Sequence, residues 1–417
     1  MRLGSLTLAL GLPALAAAAM LVPGCAWQEN EPNVLVVVVD NLRADAVRSG
    51  PRIPNINRLK QRGLVFRTCF SHTPSTTGGA AALFSGRLPH ETGISVDGRT
   101  VDDSVPLLAE TLALEGYLAF GAVGVPGLRP DNHGAGVTRG FAAFAAPADG
   151  VEPPARTNER LLGLLDGAEE ERPWLLYAHY ALSDATEPSE TDQSGRLDPS
   201  ERSEARREYF ADIERADRAL GSLLNELRER NAYDNTLVVL TANHGASLGQ
   251  HADDDQRGGL YDEVLRVPLV IKLPKNHTAA ADLRRATNVL ARVVDITPTV
   301  LDVLDMDALP SVAGRTLIDE TERELTAEIR PPLAPTPRYA RRNDRYKLIY
   351  APAEERFEMY DLSRDPLELD NVFAVEGHLW SAWQDDLRAI AESDFGYTEE
   401  SDRGSTVVSQ RAQILGN

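Results

Sequence analysis

Cysteine is almost missing from this chain: 417 residues carry two, Cys25 and Cys69. That excludes a disulfide framework and any four-cysteine zinc site. Basic charge is also short, with 43 lysines and arginines against 63 acidic residues and a formal net charge of −20. A nucleic-acid surface needs a basic stripe that releases counterions from phosphates, and no run of basic residues here is dense enough to supply one. No nucleic-acid partner is therefore expected. After the first 22 residues there is no long apolar run, and no internal repeat is visible. What remains is ordinary for a globular protein: 42% hydrophobic and 25% charged residues, enough to build a core and too apolar for wholesale disorder. The length suggests two to three domains, or one large α/β body with an appendage.

The N-terminus reads as a targeting segment. Met1-Arg2 gives a positive start, and Leu3 to Val22 is apolar and alanine-rich. Its end, Leu21-Val22-Pro23-Gly24-Cys25, resembles the bacterial lipobox, in which a cysteine becomes the lipidated mature N-terminus. Residues 1–25 are thus expected to be a lipoprotein signal and 26–32 a tether, which places the protein in the bacterial cell envelope, anchored to the membrane through Cys25. Simple secretion and a retained helix are the alternatives, since about 20 apolar residues can span a bilayer.

Asn33 to Val39 is an unbroken β-branched run, the pattern of a strand buried on both faces of a parallel sheet, and it ends at Asp40. Similar runs are Asn235 to Thr241, ending at Ala242-Asn243-His244, and Trp174 to Ala178, followed by His179-Tyr180; Ala119 to Val123 is weaker. Helical patterns lie between them at Asn55 to Gly63, Ala80 to Phe84, Val105 to Glu115, Thr157 to Leu165 and Arg206 to Arg230. Strands alternating with helices predict a doubly wound, mostly parallel α/β body over 33–330. Ligands of such sheets gather beyond the strands' carboxyl ends, where Asp40 sits. Ser183 to Ser203 and Ala252 to Gly259 read as loops. Prolines from Pro331 onward mark a linker to a small C-terminal antiparallel α+β domain, with strands at Arg345 to Tyr350 and Phe357 to Leu362 and a helix from about Leu379 to Ala391. The domain and its tail span 331–417.

Seven segments, in order, resemble the sulfatase family of the alkaline-phosphatase-like superfamily. They are Val39-Asp40-Asn41-Leu42-Arg43-Ala44-Asp45; Pro54 to Leu59 with Gly63 to Phe66; Ala82 to Gly93; Tyr233 to Gly245; Leu260 to Glu263 with Arg266-Val267-Pro268; Val294 to Thr299; and Tyr360-Asp361-Leu362 with Asp365-Pro366. The resemblance covers about residue 33 to 375. It implies a divalent cation, usually calcium, held at strand ends, a nucleophile that coordinates it, and histidines, a lysine and an arginine that grip the ester.

Carried over residue by residue, the resemblance sets Asp40, Asn243 and His244 as metal ligands and Thr76 as nucleophile, with His179 or His251 assisting the leaving group. Counting back from Ser85-Gly86-Arg87, Thr76 takes the place of the formylglycine precursor, and Gly78, Gly79 and Ala80 take the places of the family's proline, serine and arginine. Threonine cannot become formylglycine. A histidine of the family aligns with Asp184, another with Gln256 beside Arg257, and a glutamate with Ala246; the lysine and histidine expected within Gly121 to Gly127 are missing. With one carboxylate in the shell, cation affinity should be weak, unless Asp253 to Asp255 contribute. Other readings stay open: Asp40 or Thr76 as a helix cap, and His244 as a satisfied buried histidine.

The implied activity is metal-dependent hydrolysis of sulfate or phosphate esters, on a small anionic ester or an envelope glycan or lipid head group. A non-catalytic binding lipoprotein on the same scaffold and a threonine-based phosphotransferase or phosphodiesterase are the alternatives.

Overall fold

The computed structural model describes residues 31–94, 100–130, 136–167, 172–182, 199–251, 259–330, 334 and 336–393. The chain runs β1 (Asn33–Val39), α1 (Pro54–Arg62), β2 (Leu64–Phe70), α2 (Thr76–Ser85), α3 (Leu108–Leu114), β3 (Leu118–Val123), β4 (Ala143–Ala145), α4 (Pro154–Leu165), β5 (Trp174–Tyr180), α5 (Pro199–Glu229), β6 (Thr236–Thr241), α6 (Asp262–Leu265), β7 (Arg266–Lys272), α7 (Ala280–Ala286), β8 (Ala291–Arg292) and α8 (Ile296–Val303). Eight strands form one sheet in the order β4-β3-β5-β1-β6-β7-β2-β8. β1 is central and pairs in parallel with β5 and β6, while β7 runs antiparallel to β6 and to β2. Every residue of β1 after Asn33 is buried, as a run of valines covered on both faces requires. This is the doubly wound, mostly parallel α/β body expected from the sequence.

A second, antiparallel sheet follows: β9 (Leu325–Ile329), β10 (Arg338–Arg342), β11 (Tyr346–Ala351) and β12 (Arg356–Asp361), in the order β12-β11-β10-β9. Its side chains alternate between two cores. Tyr339, Leu348 and Met359 meet Trp383 and Leu387 of a helix at 381–393. Their neighbours Ala340, Ile349 and Tyr360 face Phe70, Leu260 and Leu265 of the main body. The sheet begins at Leu325, ahead of the break read at Pro331, because β9 pairs with β10 across those prolines. Helix α5 begins at Pro199, inside the stretch read as a loop to Ser203; proline fits a first helical turn and hides the start. Residues 183–198 lie outside the described residues, as do the N-terminal signal and Cys25. No helix among the described residues is long and apolar enough to cross a membrane.

The seam between the sheets is ionic. Lys347 of β11, fully buried, pairs with Asp262 of α6 at 2.7 Å and with Glu368 at 2.6 Å, and donates to the carbonyl of Leu260 at 2.9 Å. Burial raises the Glu368 carboxyl to about 7 despite the opposing pull of Lys347, with the Asp262 charge adding to the rise. β9 also braces the segment leading into α2. The Glu328 amide donates to the carbonyl of His72 at 2.8 Å, and His72 Nδ1 donates to the carbonyl of Thr326 at 2.6 Å. His90, just beyond α2, pairs with the Glu328 carboxylate at 2.8 Å.

Three outcomes follow from this packing. Removing the buried cation by Lys347→Met strands two carboxylates and should cost about 3–5 kcal/mol in urea unfolding. The Glu368 carboxyl, raised from 4.5 to about 7, stabilises the fold fully below pH 4.5 and loses that contribution as pH rises through 7. Wild-type stability should therefore fall across this window more than that of Glu368→Gln, and equal slopes would contradict the assignment. A Cβ on Gly79 of α2 would lie 2.8 Å from Cβ of Asn243, so Gly79→Ala should destabilise by about 1–3 kcal/mol, read by thermal unfolding.

Candidate active site

Three adjacent parallel strands, β5, β1 and β6, deliver polar residues to one edge of the sheet. Asp40 follows β1 directly, and its amide donates to the carbonyl of Tyr180, the last residue of β5, at 2.9 Å. Asn41 then takes a left-handed conformation (φ 60°), which asparagine tolerates, and the chain turns away from the sheet. His179 lies near the end of β5, and Asn243 and His244 just beyond β6. Thr76 opens α2. The helix is capped by Ser75, whose hydroxyl accepts from the Gly78 amide at 3.1 Å, so the reading of Thr76 as the cap does not hold. One residue further on, the threonine hydroxyl is free to turn toward Asp40.

The five groups meet. Thr76 Oγ1 donates to Asp40 Oδ2 at 2.7 Å and stands 3.5 Å from His244 Nε2. His244 Nε2 is also 3.5 Å from Asp40 Oδ1, and His179 Nε2 is 3.4 Å from Asp40 Oδ2. His244 Nδ1 lies 2.8 Å from the carbonyl of Gly245, which can only accept; Nδ1 therefore carries a hydrogen, and Nε2 faces Thr76 and Asp40. Asn243 Nδ2 donates to the carbonyl of Thr76 at 2.9 Å, which fixes the amide's orientation and turns Oδ1 the other way. Asp40 is 4% exposed, and burial opposes its ionisation. The pull of His244 and of His179, with the hydrogen bond from Thr76, outweighs that and holds its carboxyl well below the usual carboxylate range.

Asp40 Oδ1 and Asn243 Oδ1 are buried oxygens with no hydrogen-bond partner among the described residues. An acceptor pair left without donors suits a hard cation. The donor set is poor, however: one carboxylate, one amide and one imidazole, and among the described residues no group of three or more His, Cys, Asp or Glu side chains is arranged to hold a metal. Among the described residues, anion-gripping cations are also lacking. Arg43 lies nearby but is bound to both oxygens of Asp45 at 2.9 and 2.8 Å and to the carbonyl of Ala246 at 3.0 Å. Among the described residues, no lysine or arginine hydrogen-bonds or ion-pairs with Thr76 or Asp40.

Of the six site residues read from the sequence, five gather here: Asp40, Thr76, His179, Asn243 and His244. His251 does not join them. Its Nδ1 pairs with Glu263 at 2.8 Å, its Nε2 lies 3.2 Å from the carbonyl of Glu368, and its ring stacks on Tyr261 at 3.7 Å, all at the seam with the second sheet. His179 is present but fully buried behind Asp40. Asp184, Asp253 to Asp255, Gln256 and Arg257 lie outside the described residues. One contact escaped the sequence reading: the Tyr177 hydroxyl is 2.8 Å from His179 Nδ1. The signal for it was period-two spacing on one strand, which puts Tyr177 and His179 on the same face.

Comparison with known proteins agrees with this arrangement. The Sulfatase family model matches residues 32–306, and a model of the N-sulphoglucosamine sulphohydrolase C-terminal region matches residues 249–387. An N-acetylglucosamine-6-O-sulfatase of Bacteroides thetaiotaomicron is 32% identical over 181 residues, which is 40% of this chain and 32% of that protein's length. A choline-sulfatase of Rhizobium meliloti is 23% identical over 82% of each chain. The solved phosphonate monoester hydrolase of Agrobacterium radiobacter superposes with a TM-score of 0.70 at 20% identity, over 87% of this chain and 96% of that one. With the family model spanning most of the α/β body and both sheets arranged as in such solved structures, the chain belongs to the sulfatase family.

Proposed function

We propose that the protein acts on sulfate- or phosphate-type esters at this site with Thr76 as the attacking group, and that it turns over the phosphate esters. The observation that carries the reading is the 2.7 Å hydrogen bond from Thr76 Oγ1 to Asp40 Oδ2 at the mouth of three parallel strands. It aims the hydroxyl, and the proton shed on attack has two acceptors in reach, Asp40 Oδ2 and, at 3.5 Å, His244 Nε2. The orphaned oxygens of Asp40 and Asn243, with His244 beside them, would hold a divalent cation, calcium by analogy with the family, though weakly. When bound, such an ion screens the charge of an anionic ester.

On a phosphate ester, Thr76 Oγ1 would bond to phosphorus as the alcohol or phenol departs, and water would then attack phosphorus and release the threonine. A sulfate ester passes the first step only. Threonyl sulfate has no second hydroxyl on the same carbon whose ionisation could expel sulfate, so turnover should stall there. Phosphate mono- or diesters are therefore the favoured substrates, as a small ester or the head group of an envelope lipid or glycan. The lipobox-like Cys25 would hold the protein at that envelope. His251, bound at the seam, takes no part in this scheme.

A second reading, a binding lipoprotein without turnover, draws on the lack of a lysine or arginine at Thr76 among the described residues. A single set of assays separates the two. With calcium, manganese or zinc added, the protein should release nitrophenol from nitrophenyl phosphate or bis(nitrophenyl) phosphate, and Thr76→Ala should lower the rate by on the order of 10³-fold or more. Turnover no higher than that of Thr76→Ala would leave the binding reading. Sustained turnover of nitrophenyl sulfate would overturn the threonine argument.

A further inference from the structure

The seam between the two sheets carries more positive charge than it neutralises. Arg342, the last residue of β10, lies opposite Lys347 of β11 in the antiparallel ladder, so both cations leave the same face of the sheet, toward the main body. Both are buried, Arg342 at 5% exposure and Lys347 at 0%. Lys347 takes Asp262 Oδ1 at 2.7 Å and Glu368 at 2.6 Å. Arg342 is left with Asp262 Oδ2, which its Nη2 approaches only to 3.6 Å. Its guanidinium lies over the Phe70 ring, 3.9 Å from the centroid, and its Nε and Nη1 are buried with no acceptor among the described residues.

A third cation adjoins this pair. Arg266 opens β7 and is the ladder partner of Phe70, the residue on which Arg342 rests. Its Nη2 donates to the carbonyl of Arg67 at 3.1 Å, its Nε is buried without an acceptor, and among the described residues it makes no ion pair. Burial lowers its pKa, and the nearby charges of Arg48 and Arg342 lower it further against the pull of Asp262. Asp45, another carboxylate acting on Arg266, is bound through both oxygens to Arg43. Lys347, Arg342 and Arg266 thus all draw on Asp262, and among the described residues Glu368 is the one other carboxylate bound to any of them. A buried guanidinium with so little compensation is costly and calls for a counter-ion.

We propose that a single-atom anion, chloride in solution, binds in this seam between Arg342 and Arg266 as their missing counter-charge. The Nε–H of Arg266 and an orphaned N–H of Arg342 are its donors. These nitrogens lie below the surface, so the occupant must be small. A halide is spherical and accepts N–H bonds from any direction, whereas a carboxylate or an oxoanion would need the two sheets to part. Bound there, chloride fastens β10 to β7. Through β9, the ladder neighbour of β10, it also steadies the brace on the segment that leads into α2. No group of the Thr76 site takes part, and chloride binding is independent of turnover.

Exchanging sodium gluconate for sodium chloride at constant ionic strength separates the ion from general salt screening. In urea unfolding of the wild type, each tenfold rise in chloride above half-saturation should raise the folding constant about tenfold. Arg342→Met, uncharged and of similar length, should fold and show no such rise; Arg266→Met supplies the same test should Arg342→Met not fold. Wild-type crystals in sodium bromide should show an anomalous peak within hydrogen-bonding distance of Arg342 and Arg266, and chloride should displace it. A wild-type stability indifferent to chloride, or an equal chloride response in the wild type and a folded variant, would overturn the site. So would water in place of bromide at a concentration that saturates the stability response, or stabilisation by phosphate and not by chloride. Failure of the nitrophenyl phosphate assays would leave both readouts unchanged, so the two ideas fail separately.

Discussion

A single carboxylate at the end of a strand covered on both faces sets the terms for this protein. Asp40 is lifted out of water by the same valine run that makes β1 the centre of the sheet, and a charge there persists only if its neighbours compensate it. Each neighbouring element supplies part of that compensation: β5 brings His179, β6 and the turn beyond it bring His244, and the first residue of α2 brings the Thr76 hydroxyl. The result is a buried carboxylate compensated by side chains from three different elements, with Oδ1 making no hydrogen bond among the described residues.

Such a site depends on precise placement, and much of the remaining structure supplies it. α2 presses against the turn after β6 at Gly79, where nothing larger than hydrogen fits, and it is capped one residue before the threonine, so the hydroxyl is spared for Asp40. The segment feeding α2 is stitched to β9 through His72 and Glu328, which makes the second sheet a support for the loop that leads to Thr76 as well as a lid on the main body's apolar edge. His251 and Lys347 serve that seam.

The sequence was most legible where one physical demand dominates. A both-faces-buried strand requires an unbroken apolar run, so β1, β5 and β6 and the polar residues at their ends, Asp40, His179, Asn243 and His244, were readable, whereas Thr76 on α2 came only from the resemblance to the sulfatase family. It was least legible where a residue type permits several environments. Histidine is one: His179 and His251 both looked available for proton transfer, yet one is buried under Asp40 and the other is spent between Glu263 and Tyr261, and only tertiary contacts separate these uses. The cap at Ser75 and the early start of α5 at Pro199 were hidden because serine, threonine and proline are equally at home in loops and first helical turns.

The central claim is that Thr76, aimed by Asp40, is the atom that meets the ester centre. A crystal structure of the protein grown with orthovanadate tests it directly, because vanadate adopts five-coordinate geometry on an attacking oxygen. The account predicts vanadium bonded to Thr76 Oγ1, with Asn243 and His244 lining the same pocket. Vanadate bound elsewhere, or a Thr76 hydroxyl still closed onto Asp40 at saturating vanadate, would contradict it.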